Sequence, residues 1–580
     1  MLLYRYRNNL KTFLLWGSLC LLANILCSAG TAYDGDQGYW ADWVKQLMND
    51  GFGGFKGNYP PFYVIWLWIV AQIHSVLDLA VGKTFFLKVM CLWPVYFSHL
   101  FLVDWLCRLT EKFNYPHWKK HLLLAFVALN PALLLDGPVW GQVDLFPVVI
   151  AAFSIYCVAR PRYLLIASML YVLSVLTKFQ MIAFLPIFGG LFIRNWKKSW
   201  KGLPFAIAIT VLVLLPFAIG GNLQQMLSSA YVQTTSLYAY ATYNAANLWF
   251  LLAGNVTPDN VPIWNVSENG LGFLLKPIIL GKILFVVVSV FTLIKSILCK
   301  NIRTTFALCT LNGLAFFILL PGMHERYLII TVPMALCWFV WDMRRGGVVC
   351  LLVTLVAMLN VNLINSFRGP DVWTIVSVVG CATLVVALFV NAAPKVLDWM
   401  VGILRKIPLP SFSPYVLLFL ILLLESSYFA YLGRPIEIPS GEDVVLLTDL
   451  PMVKSEQRFK SPQTNRSVDG HSLTSGSRVY KYGFGSHAPS SLAFEIPQNA
   501  DSLYIYAGID DECAHEGSAK FFIRVDGERV WRSGLVTGRK DPQKAEISLR
   551  GASILELETD PNGSDNCDHT DWLNGYIKLQ

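Results

Sequence analysis

The stretch LPFAIAITVLVLLPFAIG, residues 203–220, decides the fold, because it continues for the width of a membrane without a charged side chain. A helix of about 20 apolar residues crosses the hydrocarbon core of a bilayer. Similar apolar runs recur on both sides of it, and we predict about thirteen spans of this kind in a polytopic α-helical domain over residues 1–432. These spans are residues 12–30, 84–108, 121–136, 144–159, 163–177, 179–193, 203–220, 276–298, 304–321, 327–342, 347–366, 372–391 and 413–432.

The composition agrees with a membrane protein. The chain has 580 residues, of which 55% are hydrophobic and only 14% are charged. Soluble proteins carry about 25% charged residues. The net charge of +8 comes from short basic clusters between the apolar runs, a pattern that indicates membrane topology and argues against nucleic-acid binding.

These basic clusters set the predicted topology, because loops rich in Lys and Arg face the cytoplasm. All clusters fall on one side only if the apolar segment 60–80 does not cross, so we predict a re-entrant or interfacial helix there. The first helix is then an uncleaved span, the N-terminus is cytoplasmic and the C-terminal domain is extracytoplasmic. Four polar segments consequently face the outside: 33–57, 136–144, 220–276 and 321–326.

Beyond residue 433 the apolar runs shorten to alternating stretches such as Leu503-Tyr504-Ile505-Tyr506, separated by turn signals such as Asp526-Gly527. Short alternating segments with regular turns predict an all-β sandwich. We place a linker with a possible first strand at 433–475 and the sandwich at 476–580. Cys513 and Cys567 are the only cysteines in this part, and an extracytoplasmic location favours a disulfide between them.

Four ordered motifs characterise the sandwich: GFGSHA at 483–488, GIDD at 508–511, VDG at 525–527 and DHTDW at 568–572. In these motifs the segment resembles the NPCBM family, β-sandwich modules assigned to carbohydrate binding. Aromatic rings that stack on a sugar and carboxylates that accept from its hydroxyl groups would form such a site. The alternatives are a Ca²⁺ site built from the same carboxylates, or core Trp and turn Asp residues. The residues in question are Asp510, Asp511, Trp531, Asp568, Asp571 and Trp572.

The predicted membrane domain carries its own motifs at the outer face. Asp34 and Asp36 follow the first span, where a carboxylate can act as a general base. Acids are also common in solvated loops, and taken alone this position favours that alternative. Lys178 stands between two apolar runs, which is costly unless the side chain is paired or functional. His324 and Arg326 in PGMHERY can hold a phosphate, and this motif is not the HExxH of zinc proteases.

In combination, these motifs resemble bacterial GT-C glycosyltransferases over about residues 10–390. The motifs are the acids after the first span, YPP at 59–61, WGQVD at 140–144, LTKFQ at 176–180, NAANLW at 244–249 and MHERY at 323–327. The resemblance implies Asp36 as catalytic base, with Asp34 as the competitor, and a donor-phosphate site at Lys178, His324 and Arg326. It also implies substrate-binding roles for five residues: Trp140, Gln142, Asp144, Asn247 and Glu325.

We therefore expect an inverting glycosyltransferase that moves a sugar from a polyprenyl-phosphate carrier to an acceptor glycan or lipid-linked saccharide on the extracytoplasmic face. The reaction requires no cofactor, although a divalent metal is compatible with it. The expected partners are the lipid-linked donor, the glycan acceptor and the bilayer, with no nucleic acid. The resemblance indicates a bacterial cytoplasmic membrane. The alternatives are a transporter or flippase of lipid-linked glycan, and a non-catalytic glycan-binding membrane anchor.

Overall fold

The structure is a computed structural model, and the chain forms two compact units, one helical and one built of β-strands. The structure describes residues 2–29, 34–79, 81–82, 84–160, 163–233, 239–255, 257–263, 271–366, 370–393, 438–439, 441, 443–470, 472–476, 478–511, 517–538, 540–563, 565 and 567–580.

The helical unit is built of α-helices. In chain order they are α1 Leu2–Cys27, α2 Asp34–Asp50, α3 Pro61–Val76, α4 Phe85–Lys112, α5 His117–Ala128, α6 Pro131–Leu134, α7 Leu145–Val158, α8 Leu164–Thr177, α9 Leu185–Arg194, α10 Trp196–Ser199, α11 Leu203–Ile219, α12 Leu223–Leu227, α13 Leu248–Ala253, α14 Leu271–Leu274, α15 Pro277–Leu298, α16 Ile302–Leu319, α17 Thr331–Trp341, α18 Arg345–Ser366 and α19 Pro370–Ala392.

Among the described residues, eight helices are long and apolar enough to cross a membrane. The chain is therefore an integral membrane protein. The predicted spans 144–159, 163–177, 179–193 and 327–342 correspond to shorter apolar helices of 10–17 residues, and the predicted span 413–432 lies outside the described residues. Segment 60–80 forms the apolar helix α3, and its predicted non-crossing position stays a prediction.

Local sequence signals explain where several helices begin. Pro61 occupies the first turn of α3, where the missing N–H costs nothing and the fixed φ favours the helix. The Thr84 side chain accepts a hydrogen bond from the backbone N–H of Leu87 at the start of α4. Asn130 does the same for Leu133 before α6. These caps satisfy N–H groups that have no partner inside the helix.

The second unit is an antiparallel β-sandwich. Its strands are β1 Val444–Leu446, β2 Met452–Gln457, β3 Gln463–Thr464, β4 Leu473–Ser475, β5 Arg478–Tyr480, β6 Gly483–His487, β7 Ser490–Glu495, β8 Ala500–Ile509, β9 Ser518–Val525, β10 Glu528–Arg532, β11 Val536–Thr537, β12 Gln543–Ser548, β13 Ile554–Pro561 and β14 His569–Leu579.

One sheet has the order β12-β8-β14-β6-β3 with β1 paired to β14, and the other has the order β10-β9-β13-β7-β2 with β11 paired to β9. Side chains from both sheets form one hydrophobic core that includes Phe494, Ile505, Phe521 and Trp572. The predicted all-β sandwich is confirmed. It begins at β1, earlier than the predicted boundary at 476, because β1 and β2 pair with β14 and β7.

Candidate active site

Asp36 lies in the first turn of α2 and accepts two hydrogen bonds from the WGQVD motif. Its Oδ2 atom is 2.7 Å from Trp140 Nε1 and 2.5 Å from Gln142 Nε2. Both bonds fall on the same oxygen, which leaves Oδ1 without a hydrogen-bond donor among the described residues. Asp34 is the first residue of α2, and its side chain lies outside what the structure describes.

An unusual turn aims Trp140 and Gln142 at the same carboxylate. Residues 135–140 form a π-helical turn that ends at Gly141, whose φ of +101° is a conformation that favours glycine. Two donors hold this turn from outside: Trp40 Nε1 is 3.1 Å from the Gly141 carbonyl oxygen, and Lys88 Nζ is 2.7 Å from that of Val139. The chain reverses here, so side chains on both sides of Gly141 reach Asp36.

Lys178 and Asp144 form a buried ion pair. Lys178 follows the last residue of α8, Asp144 precedes α7, and their Nζ and Oδ1 atoms are 2.7 Å apart. Burial by itself disfavours the charged ammonium, but the Asp144 carboxylate outweighs it, so the pKa of Lys178 lies above its ordinary value. The Lys178 side chain is therefore a charged ammonium at neutral pH while it is paired with Asp144.

The HER motif forms a second buried charge cluster. Arg326 Nη1 is 2.8 Å from Glu325 Oε1, and His324 Nδ1 is 3.7 Å from Glu325 Oε2. Burial opposes the ionisation of Glu325, yet the Arg326 guanidinium and the His324 side chain together outweigh it, and the pKa of Glu325 lies below its ordinary value. Burial lowers the pKa of His324, which is neutral at pH 7. The Arg326 guanidinium also lies 5.8 Å from the Trp140 ring centroid, which connects this cluster to Asp36.

These groups meet at one cavity of about 330 Å³. Asp36, Gln142, Lys178 and Arg326 all line it, although they come from four separate parts of the sequence. Aromatic side chains form much of the remaining wall: Tyr39, Trp40, Trp43, Tyr59 and Tyr327. The cavity thus combines a carboxylate, the two largely buried cations, a third and exposed cation at Lys56, and apolar ring surfaces. This is the chemistry of a polar ligand site.

Four other predicted residues of the helical unit do not line the cavity but contact residues that do. Trp140, Asp144, His324 and Glu325 are buried and hold the residues that line the cavity. Asn247 does something else: its Oδ1 atom caps α13 by accepting from the backbone N–H groups of Trp249 and Phe250. We therefore correct its predicted substrate-binding role to a structural one, because its acceptor is already used for the helix.

Sequence reasoning missed Tyr59, which lines the cavity and donates from its hydroxyl to Gln142 Oε1 at 3.4 Å. Its ring lies 5.7 Å from Lys178 Nζ, and burial raises the pKa of Tyr59 to about 12. The only signal in the sequence was the place of Tyr59 in the YPP motif.

Asp136 was also missed: it is buried, and neither carboxylate oxygen has a hydrogen-bond partner among the described residues.

In the sandwich, most of the predicted sugar-binding residues are buried, and only Trp531 is partly exposed. Asp510 accepts from the backbone N–H and hydroxyl of Thr474, and the Trp572 ring packs against Phe521 in the core. We correct their predicted role, because side chains inside the fold cannot contact a glycan at its surface. The residues concerned are Asp510, Asp511, Asp568, Asp571 and Trp572.

Cys567 is disulfide-bonded, and Cys513, its predicted partner, lies outside the described residues. Within the described part of the chain, no group of three or more His, Cys, Asp or Glu side chains is arranged to hold a metal ion.

Comparisons with known proteins concern mainly the sandwich. The NPCBM/NEW2 domain family matches residues 443–578. Alpha-1,3-galactosidase B of Akkermansia muciniphila is 27% identical over 139 residues, which are 23% of this chain and 18% of that protein. The chain thus spans less than a fifth of this relative's length.

Two solved structures are also similar. The CBM51 of Clostridium perfringens GH95, in complex with methyl-galactose, is 25% identical, with a TM-score of 0.23 over 23% of this chain and 99% of that one. The arabinosyltransferase EmbB of Mycobacterium smegmatis is 12% identical, with a TM-score of 0.24 over 97% of this chain and 64% of that one. The family match confirms the resemblance predicted for the C-terminal part: residues 443–578 are an NPCBM/NEW2 domain.

Proposed function

We propose that this protein is an inverting GT-C glycosyltransferase that moves a sugar from a polyprenyl-phosphate carrier to an acceptor glycan or lipid-linked saccharide on the extracytoplasmic face. The observation that carries the proposal is one cavity whose lining includes a carboxylate, Asp36, and two largely buried cations, Lys178 and Arg326. A transferase of this class needs a base for the acceptor and positive charge for the phosphate that leaves.

Asp36 acts as the general base. Trp140 and Gln142 hold its Oδ2 atom, so the orientation of the carboxylate is set before the substrate arrives. The Oδ1 atom takes the proton of the acceptor hydroxyl as that oxygen attacks the anomeric carbon. The bond from this carbon to the phosphate oxygen breaks, its electron pair stays on the phosphate, and a single displacement inverts the anomeric configuration.

Lys178 and Arg326 stabilise the departing phosphate. Each is already paired with an acid, Asp144 or Glu325, so neither contributes an unbalanced charge. Their contribution is directional: an ammonium has three N–H donors and a guanidinium has five, and the acid occupies only part of them. Donors held in place before the reaction stabilise developing negative charge without reorganisation. His324 is neutral and positions Glu325 within this group.

The NPCBM/NEW2 domain holds the acceptor glycan and thereby raises its effective concentration at the catalytic unit. We place the protein in a bacterial cytoplasmic membrane, with the N-terminus in the cytoplasm and this domain outside. The donor lipid, the acceptor and the bilayer are its partners. The scheme uses no cofactor, and a divalent metal is compatible with it but not required.

The test is sugar transfer by the purified protein from a panel of radiolabelled polyprenyl-phosphate sugars. Asp36→Asn should lose about 10²- to 10⁴-fold of the rate, the usual contribution of a general base, and Asp34→Asn is the matched control two residues away. An Asp36→Asn variant as active as wild type would exclude the proposed base. If no donor is used and the protein instead moves lipid-linked glycan across vesicles, the transporter alternative replaces the proposal.

A further inference from the structure

One face of α2 leads away from the proposed base. Asp36, Tyr39, Trp43 and Gln46 follow one another at intervals of three, four and three residues, and residues with this spacing lie on the same side of a helix. The cavity is lined by Asp36, Tyr39 and Trp43. The helix rises about 1.5 Å per residue, so Gln46 lies about 15 Å beyond Asp36 along its axis. We call this face, defined by these four residues, the α2 track.

Aromatic rings form the middle of the α2 track. The rings of Tyr39 and Trp43 stack with their centroids 6.0 Å apart and their planes at 30°. The buried ring of Phe55 meets the Trp43 ring edge-on at 5.9 Å and 66°. The Tyr39 side chain is nevertheless 60% exposed. A supported aromatic ring that is open to solvent offers apolar contact area with a polar tip, which suits the face of a sugar ring.

Lys56 lies at the far end of the α2 track. Its backbone N–H donates to Gln46 Oε1 at 2.9 Å. The preceding residue, Phe55, is held by Asn222, whose Nδ2 atom donates to the Phe55 carbonyl oxygen at 2.7 Å. The Lys56 side chain is exposed and lines the cavity. The backbone of this lysine is therefore fixed beside Gln46, on the side of the cavity that carries the base.

The charges of the cavity give Lys56 a different role from the other two cations. Lys178 is paired with Asp144, and Arg326 is paired with Glu325. Lys56 makes no ion pair within the described part of the chain. An ammonium whose charge is not already balanced attracts a further anion. Since the paired cations serve the phosphate of the proposed donor, Lys56 is left for an anionic group on the molecule that meets the base.

We propose that the acceptor is an anionic glycan, with its attacking hydroxyl group at Asp36, a sugar ring against Tyr39 and a carboxylate or phosphate at Lys56. The inference rests on the proposed transferase function and adds the charge class of the acceptor. The length of the α2 track keeps the anionic group away from the Asp36 carboxylate, so the two do not repel each other at close range. A neutral acceptor can lie on the same track, but it gains nothing from Lys56.

The test is saturation-transfer difference NMR on the full chain, in a detergent without a sugar headgroup and with no donor lipid present. Methyl glucuronide and the phosphate ester of methyl glucoside are compared with methyl glucoside itself, which has the same ring and no charge. At about 0.01 M salt, wild type should bind the two anionic glycosides about threefold to fivefold more tightly, as expected for one exposed ion pair. At about 1 M salt the preference should disappear, because the Debye length falls to about 3 Å.

Variants at two positions locate this preference. Lys56→Gln should abolish it, and Lys56→Arg should keep it. Tyr39→Ala should weaken binding of the anionic glycosides by about threefold, the contribution of one aromatic contact, whereas Tyr39→Phe keeps the ring and should retain binding. Lys45→Gln is the matched control, because Lys45 is another exposed lysine of α2, next to Gln46, and does not line the cavity. It should show the preference of wild type.

A second measurement separates the acceptor from the carrier, because an ammonium also attracts a lipid phosphate. Native mass spectrometry follows the binding of undecaprenyl phosphate, which Lys56→Gln should bind as wild type does. Weaker lipid binding by Lys56→Gln, with the glycoside preference intact, would assign Lys56 to the carrier and overturn the proposal. A wild type without the preference would also overturn it. If wild type does not bind undecaprenyl phosphate, the proposed donor is contradicted, and the glycoside result is unaffected.

Discussion

The helical unit and the sandwich use the same residue types in opposite ways. Asp36 and Gln142 of the helical unit come from short polar motifs and line one cavity. Asp571 and Trp572 of the sandwich also come from a short polar motif, but they are fully buried in β14. An acid or a tryptophan in a motif is therefore not by itself evidence of a ligand site.

The difference follows from where the motif lies in the secondary structure. WGQVD lies in a turn between helices, where the backbone reverses and the side chains point into the space between packed elements. The last four residues of DHTDW lie in β14, which is paired on both sides, to β6 and to β8. Asp571 pairs with Gly485 on one neighbour and with Gly508 on the other, so strands on both sides enclose it.

The largest expected effect on stability concerns the buried ion pair of Lys178 and Asp144 in the helical unit. Lys178→Met should lower the free energy of unfolding by about 3–5 kcal/mol, because it leaves the Asp144 carboxylate buried without its partner. The double variant Lys178→Met with Asp144→Leu should recover much of this stability and none of the sugar transfer. Thermal unfolding in detergent and the transfer assay measure the two quantities. A single variant as stable as wild type would show that the pair is not energetically coupled.

A comparable loss of stability is expected in the sandwich. Sugar binding should fall only to the extent that the domain unfolds. Trp572→Ala should lower the free energy of unfolding of the domain by about 3–5 kcal/mol, because it opens a large cavity in the core. Trp531→Ala, at a partly exposed edge position, is the control and should cost about half as much or less. Chemical denaturation followed by circular dichroism tests this. Equal losses for the two tryptophans would contradict the assignment of Trp572 to the core.

A smaller effect tests the corrected role of Asn247. Asn247→Ala should lower the free energy of unfolding by about 1 kcal/mol, the contribution of one helix N-cap. Asn247→Ser should keep most of that stability, because a serine side chain can also cap α13. Unfolding midpoints and the KM for the lipid-linked donor are measured together. A raised KM at unchanged stability would restore the original assignment of Asn247 to substrate binding.

The smallest expected effect is a pH dependence at His324. Because burial lowers the pKa of His324 in the folded protein, the unfolded chain takes up a proton as the pH falls below about 6.5, while the folded chain does not. Stability should therefore fall between about pH 7 and pH 5, and His324→Gln should remove part of that fall. Glu325 titrates in a separate window, since its pKa is depressed and its contribution is lost only at lower pH. Identical pH profiles for the two proteins would contradict the burial of a neutral imidazole.

Much of the architecture could be predicted because long apolar runs leave few alternatives. Eight helices of sufficient length and hydropathy lie where spans were predicted, and alternation with regular turns indicated the sandwich. Motifs predicted four of the residues that line the cavity: Asp36, Gln142, Lys178 and Arg326. The pairing of these residues was not predicted, although Asp144 itself was named, because no local pattern relates Asp144 to Lys178.

The sequence by itself determined that the chain is a membrane protein with a β-sandwich domain, because hydrophobicity and alternation act over neighbouring residues. Only the tertiary structure decided which side chains face a cavity, a helix end or a core. It brings Asp36, Lys178 and Arg326 to one space, assigns Asn247 to a cap and buries Trp572. The physical reason is that burial and pairing depend on residues distant in the chain. The chemistry of an Asp, Lys or Trp side chain depends on the residues packed around it more than on its neighbours in sequence.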